Sequence, residues 1–242
     1  MRQLAFPDEY DIFNSIDRID GLDHIYILTI PHKYPKRYAR AIKIAERSKT
    51  PITVWKGKPV SELTPADREL THFETNLPGE LQRVQAVNIS HLQILRDARA
   101  KNFKTVLVLE DDAILSMDFS VRLKKHVKVM CGLPSNKRGI FYLGDALVGD
   151  CWHDTQNKYA DGLYLRALKD SRCADSYLLN QQMIKLIVDR FDDPKQQMVV
   201  AIDHYLNKVG RENDILVCWA EPTYVTQGSM HKLDMERLQI PK

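Results

Sequence analysis

The sequence predicts an α/β protein with a central, mostly parallel sheet flanked by helices. Three observations carry this. A strand, helix, strand succession occupies residues 24–55, the opening unit of a parallel sheet. The apolar run at 105–109 is continuous rather than alternating, as a strand buried on both faces requires. Helical and strand-type segments then alternate as far as Trp219. A chain of 242 residues, 44% apolar and 28% charged, can bury a sizeable core and excludes collagenous, low-complexity and disordered classes.

Residues 24–30, His-Ile-Tyr-Ile-Leu-Thr-Ile, are β-branched and aromatic and close at Pro31, which predicts the first core strand. Residues 34–48 carry Tyr38, Ala41, Ile42 and Ala45 at helical spacing with Lys and Arg between them, an amphipathic helix. Residues 51–55 predict the second strand. Residues 56–78 lack a clean period and read as an excursion, in which Thr64-Pro65-Ala66-Asp67 has the cap and first-turn proline of a short helix. From Gly79, the spacing of Leu81, Val84, Val87, His91, Leu95 and Ala98 predicts a long helix with Ser90 and His91 at its middle and His91 facing inward.

After the apolar run at 105–109, residues 117–130 predict a helix and 139–143 a strand. Residues 144–172, rich in Gly, Asp and Tyr, predict loops or a hairpin lying over one face. A short strand running into a helix at 176–189, a helix through 202–206, a strand at 214–219 and an irregular tail at 221–242 complete the chain. No repeat or linker divides it, so one domain over 1–242 is expected.

Composition narrows function by exclusion. Lys and Arg total 35 against 32 Asp and Glu, a net +3 with both signs scattered, so no nucleic-acid footprint is expected. The longest apolar stretches fall far short of the roughly 18 to 20 residues of a transmembrane helix, and the N-terminus has acids and a proline where a signal peptide needs an apolar run. A cytoplasmic location is the expectation. Cys131, Cys151, Cys173 and Cys218 form no Cys-x-x-Cys pair and read as reduced and structural.

The chemistry concentrates in Glu110-Asp111-Asp112, three acids at the carboxyl end of the buried run. Like charges this close repel and raise one another's pKa, so they need a cation or strong donors to stay ionised. Oxygen ligands at a strand end suit Mn²⁺ or Mg²⁺, which fills its remaining positions with water and phosphate oxygens. The ligand crevice of an open α/β sheet also lies at these strand ends. In a purely structural role the same acids would be solvated or would cap the next helix.

Asn88-Ile-Ser90-His91-Leu-Gln-Ile-Leu, a spacer, and Val106-Leu-Val-Leu-Glu110-Asp111-Asp112 resemble the Ser-His and Leu-Val-Leu-Glu-Asp-Asp core of glycosyltransferase family 25. That family includes bacterial lipooligosaccharide galactosyltransferases and collagen galactosyltransferases. Thinner matches are residues 25–29 with Lys36-Arg37, residues 174–186, Ala201-Ile-Asp203, and Glu221-Pro222 through Gln227. Departures are Thr29 where the family usually has Asn, Val84 where it has an acid, with Glu80 the nearest acid upstream, and Gln85-Ala86 where it has Gly-Cys.

The resemblance implies a GT-A fold and a nucleotide-diphosphate sugar, expected to be a UDP-hexose, held through a divalent metal. Residues 20–115 would form the nucleotide-sugar half and 116–242 the acceptor half and tail. Glu110 and Asp112 are the first candidate metal ligands, with His231 a further candidate from the tail. Asp111 is a third ligand or a ribose contact. Thr29 would sit under the nucleotide, and Arg37 and Arg40 would bind its phosphates unless they form a solvated helix face. His91 is either a satisfied core histidine or a donor-site contact.

An inverting transfer needs one base to take the acceptor proton. Asp203 is the first candidate, a helix-cap or surface acid in its structural reading. Asp145 is the second candidate or an acceptor contact, and Asp150, His153 and Asp154 are candidate acceptor-side residues. Expected partners are the nucleotide sugar and a glycan or hydroxylated protein acceptor, with no nucleic acid and room for peripheral membrane association. Two other classes fit less well. An aspartyl phosphoryl transferase would need Asp where Glu110 stands, and a non-catalytic carbohydrate- or nucleotide-binding domain would need no metal. No P-loop or Gly-x-Gly-x-x-Gly appears.

Overall fold

A computed structural model describes residues 15–71, 78–144, 147–148, 157–165, 171–193, 198, 200–212 and 214–229. The strands are β1 (His24–Thr29), β2 (Ile52–Lys56), β3 (Thr105–Glu110), β4 (Ala113–Leu115), β5 (Arg138–Tyr142), β6 (Leu147–Val148), β7 (Lys158–Ala160), β8 (Leu163–Leu165), β9 (Ser171–Arg172), β10 (Ser176–Asn180), β11 (Ile215–Ala220) and β12 (Val225–Gln227). The helices are α1 (Pro35–Arg47), α2 (Pro65–Leu70), α3 (Pro78–Ala100), α4 (Phe119–Cys131), α5 (Gln181–Asp192) and α6 (Ile202–Glu212). The main sheet has eight strands in the order β2-β1-β3-β10-β5-β11-β8-β7.

The β3 strand lies inside this sheet, and its first five residues are buried. Successive side chains enter opposite layers. Val106 and Val108 pack with Ile89, Leu92 and Leu95 of α3 and Met183 and Ile187 of α5, whereas Leu107 and Leu109 pack with Ala41 and Ile44 of α1 and Leu123 and Val127 of α4. Two apolar layers therefore clamp the strand, and its run needs no polar alternation. The parallel register pairs Leu28 with Glu110, so β1 and β3 end together and release Ile30 and Asp111 at one edge.

Most strands run in one direction, but β10 is antiparallel to both of its neighbours, β3 and β5. This reversal puts the segment leading into β10 at the carboxyl ends of β3 and β5. There the Glu110 amide donates to the Asp175 carbonyl at 2.8 Å, and the Leu143 amide to the Ser176 carbonyl at 3.1 Å.

Two expectations are corrected. The hairpin of β7 and β8 pairs through β8 with β11, so it extends the sheet edge in plane rather than covering a face. The tail is not wholly irregular, because β12 pairs antiparallel with β4 and aligns Gln227 with Ala113. That pairing, with the Gly228 amide donating to the Asp112 carbonyl at 3.0 Å, fastens residues 225–229 onto the acidic turn.

The α2 start has the anticipated cap. The Thr64 side chain accepts from the Asp67 amide, and the Asp67 side chain accepts from the Thr64 amide. Ser90 is a fastening for the excursion: its Oγ donates to the Ala86 carbonyl at 2.6 Å and accepts from the Lys58 amide at 2.9 Å. Gly57 packs closely beside it, since a Cβ there would meet Leu28 Cδ1 at 3.1 Å and Ser90 Oγ at 3.3 Å, and these neighbours would have to give by a few tenths of an ångström. Among the described residues, no helix is long and apolar enough to cross a membrane, and Cys131, Cys173 and Cys218 are free.

Candidate functional site

A cavity of about 500 Å³ opens beyond the carboxyl ends of β1 and β3. Its walls come from the turn after β1 and the first turn of α1 (Ile30, Lys33, Tyr34, Arg37), from α3 (Glu80, Arg83, Val84, Val87, Asn88), from the acidic triplet, from Cys173 and Ala174 ahead of β10, from Ala201, Ile202 and Asp203 at the start of α6, and from Gln227 and Ser229. Six separate stretches of chain converge on a strand-end crevice of the kind that binds ligands in open α/β sheets.

Glu110, Asp111, Asp112, Arg37 and Asp203 therefore line one cavity. Burial, and then the charges of Asp112, Asp111 and Asp203, push the Glu110 carboxyl well above its usual range. Burial also raises Asp111, opposed by the neighbouring Thr29 hydroxyl and by Arg37. Arg37 Nη1 lies 3.2 Å from Asp111 Oδ1 and 3.9 Å from Asp112 Oδ2, and the Ile30 amide approaches Asp111 Oδ2 at 3.4 Å. Asp112 is only 4% exposed, and its Oδ1 has no hydrogen-bond partner. A buried carboxylate oxygen without a donor is costly. The cluster is short of positive charge.

Were a divalent cation to bind here, Asp112 and Glu110 are the carboxylates that would hold it. Mg²⁺-type ions take one or two carboxylates and complete their shell with water and phosphate oxygens. Among the described residues, no three His, Cys, Asp or Glu side chains form a ready ligand set. His231 lies outside the described residues, as do Asp145, Asp150, His153 and Asp154.

The remaining candidates divide. Arg40 does not line the cavity; its Nη2 donates to the Ala113 carbonyl at 2.6 Å, so it braces the acidic turn from beneath rather than facing a phosphate. Thr29, 1% exposed, also sits beneath the cavity, against Asp111. His91 is fully buried, with Nδ1 2.7 Å from the Tyr177 hydroxyl and Nε2 3.4 Å from Glu110 Oε1. Burial lowers its pKa to about 4 and raises that of Tyr177 well above 10. The assignment that satisfies both contacts has Tyr177 donating to Nδ1 and Nε2–H donating to Glu110. His91 is thus a satisfied core histidine that reaches the cavity only through Glu110.

Asp203 stands in the first turn of α6 and lines the cavity, while its Oδ1 accepts from the His204 amide at 2.8 Å. Sequence reasoning assigned no role to Lys33, Tyr34 or Arg83, placed Asn88 and Gln227 only within segments of the resemblance, and marked Cys173 as structural, yet all of these line the cavity. Lys33 and Arg37 had one readable signal, the basic run around Tyr34. Their cationic groups lie 4.9 and 4.3 Å from its ring centroid, within cation–π range. Cys173 is not an activated nucleophile, because burial and nearby carboxylates raise its thiol to about 12.

No family model matches the sequence, and no curated protein matches it. Among solved structures 51 chains match. One of them, apo mouse xyloside xylosyltransferase 1, is similar with a TM-score of 0.42 and 10% identity, covering 84% of this chain and 73% of that chain.

Proposed function

We propose that the chain is a metal-assisted glycosyltransferase of the GT-A type, similar to family 25, that moves a hexose from a UDP-sugar to a hydroxyl of a glycan or hydroxylated protein with inversion. The observation that carries this reading is the unpartnered, buried Oδ1 of Asp112 in a strand-end cavity that also presents Lys33, Arg37 and Arg83. A buried carboxylate oxygen without a donor, in a cavity that also holds Lys33, Arg37 and Arg83, suits a metal–diphosphate ligand better than either ion alone.

Lys33 and Arg37 would bind the diphosphate, with the Tyr34 ring limiting where their side chains swing. Asp112 would hold the divalent ion with Glu110, and the ion supplies charge neutralisation as the diphosphate departs. Asp203 would accept the proton of the acceptor hydroxyl as that oxygen bonds to the anomeric carbon and the carbon–phosphate-oxygen bond breaks. Tyr177 and His91 would fix the Glu110 carboxyl, an outer-shell task worth about 10- to 100-fold in comparable sites. The apolar wall of Leu28, Val84, Val87 and Ile202 would exclude water from the reacting centre.

Calorimetric titration of UDP with and without Mn²⁺ tests this. Mn²⁺ is expected to tighten UDP binding at least about tenfold, and Asp112→Ala to remove that gain while the protein stays folded. An absence of UDP binding to wild type in both conditions rejects the reading.

A further inference from the structure

Asn88 lies on the α3 wall of the cavity and is 1% exposed. Its Nδ2 donates to the Val200 carbonyl at 3.0 Å, and that acceptor settles which end of the amide is which. Its Oδ1 is buried with no hydrogen-bond partner. One end of the side chain is spoken for and the other is an acceptor without a donor, on a residue that lines the cavity along with Val84, Val87, Ala201 and Ile202. Buried amide oxygens are rarely left in this state without a ligand or water to meet them.

The sheet order polarises the cavity. The turn after β1, with Lys33 and Arg37, lies on one side of the β3 end, and the segment entering β10 lies on the other. Cys173, just ahead of β10, feels the charge of Asp203. The start of α6 reaches α3 through the Asn88–Val200 bond, and Glu110 feels the Asp203 charge. Asn88 and Asp203 thus line the part of the cavity where α3 meets the start of α6. There the carboxylate of Asp203, the proposed base, and the Asn88 amide are hydrogen-bonding groups, while Lys33 and Arg37 lie by the β1 turn and Arg83 lies further toward the start of α3. An acceptor-lined wall is matched by a ligand rich in O–H donors, and a cationic wall by a phosphate.

We infer that Asn88 Oδ1 accepts a hydrogen bond from a ring hydroxyl of the transferred sugar and so selects the donor's sugar rather than its nucleotide. The inference rests on the proposed nucleotide-sugar reading and deepens it. A site built to hydrogen-bond a hydroxyl rejects the analogue that lacks it, because the buried group is then left unpaired.

The test compares Mn²⁺-supported binding of UDP, UDP-glucose and UDP-galactose to wild type and to Asn88→Leu and Asn88→Ala. Wild type is expected to bind at least one UDP-hexose about tenfold more tightly than UDP. Both variants are expected to lose that advantage while UDP affinity stays within about twofold. Should both variants fold poorly, wild type is titrated with singly deoxygenated forms of its preferred UDP-hexose. One of these is then expected to bind about tenfold more weakly than the parent.

Equal weakening of UDP and UDP-hexose in the variants overturns the inference, as does an unchanged sugar advantage or a deoxy series with no weak member. Wild type that fails to bind UDP at all rejects the functional reading instead, so the two failures are distinguishable.

Discussion

The two ends of the central strands treat their acids in opposite ways. At the amino end, Asp97 Oδ2 accepts from the buried Tyr26 hydroxyl at 2.5 Å and from Lys101 Nζ at 2.8 Å. Burial raises its carboxyl, but hydrogen bonds from Lys101 and Tyr26 outweigh that and hold it below its usual value. At the carboxyl end, burial and mutual repulsion win, and Glu110 and Asp111 are raised. Both clusters sit on one layered sheet, so the difference does not come from fold class. An acid cluster that has collected its donors serves stability, while one still short of donors is built for something that arrives later.

The largest expected effect lies at the carboxyl end. Asp203→Asn is expected to lower kcat by about 10²- to 10⁴-fold, the usual worth of a general base, while leaving UDP affinity within about twofold. Steady-state assay with UDP-hexose, paired with calorimetry, checks this. A parallel loss of UDP binding would move Asp203 from the acceptor side to the nucleotide.

The amino end should answer in stability instead. Asp97→Ala leaves the fully buried Tyr26 hydroxyl without its acceptor, and a loss of about 1 to 3 kcal/mol in urea unfolding is expected. UDP binding should not change.

Acid sensitivity sharpens the comparison from a third place. His126, 2% exposed and 2.9 Å from the Tyr224 hydroxyl, has its pKa lowered to about 4, first by burial and then by Arg122, opposed by Asp161. The unfolded chain binds this proton near pH 6.5 and the folded chain only near 4. Stability is therefore complete above about 6.5 and is lost as the pH falls toward 4, at up to about 1.4 kcal/mol per pH unit. His126→Gln is expected to flatten that slope in unfolding curves collected across the window.

The smallest effect has the opposite sign. Asp112→Asn removes a charge whose Oδ1 has no partner and which raises Glu110. The unliganded protein is expected to lose no stability and to gain up to about 1 kcal/mol, a pattern typical of functional sites relieved of repulsion. A clear loss in thermal or urea unfolding would place Asp112 with Asp97 as a structural acid.

Much of this architecture is legible in the residues because it depends on local pattern. The apolar run into Glu110-Asp111-Asp112 declares a doubly buried strand with a charged end. Thr64 and Asp67 declare a cap, and the stripe through Ala98 a long helix with His91 inside. What the chain could not declare locally was partnership at a distance. That Arg40 turns to the Ala113 carbonyl while Arg37, one turn earlier on α1, faces Asp111 depends on side-chain reach around a helix, which two arginines three residues apart do not reveal. That Asn88 has one end spent on Val200 and the other free depends on α6 lying against α3, 112 positions along the chain. The reversed β10 and the clamp of β12 on β4 likewise come from long-range pairing. Local sequence sets period, charge and caps, whereas a cavity is made of surfaces contributed by separate segments, so only the assembled sheet decides which side chains face it.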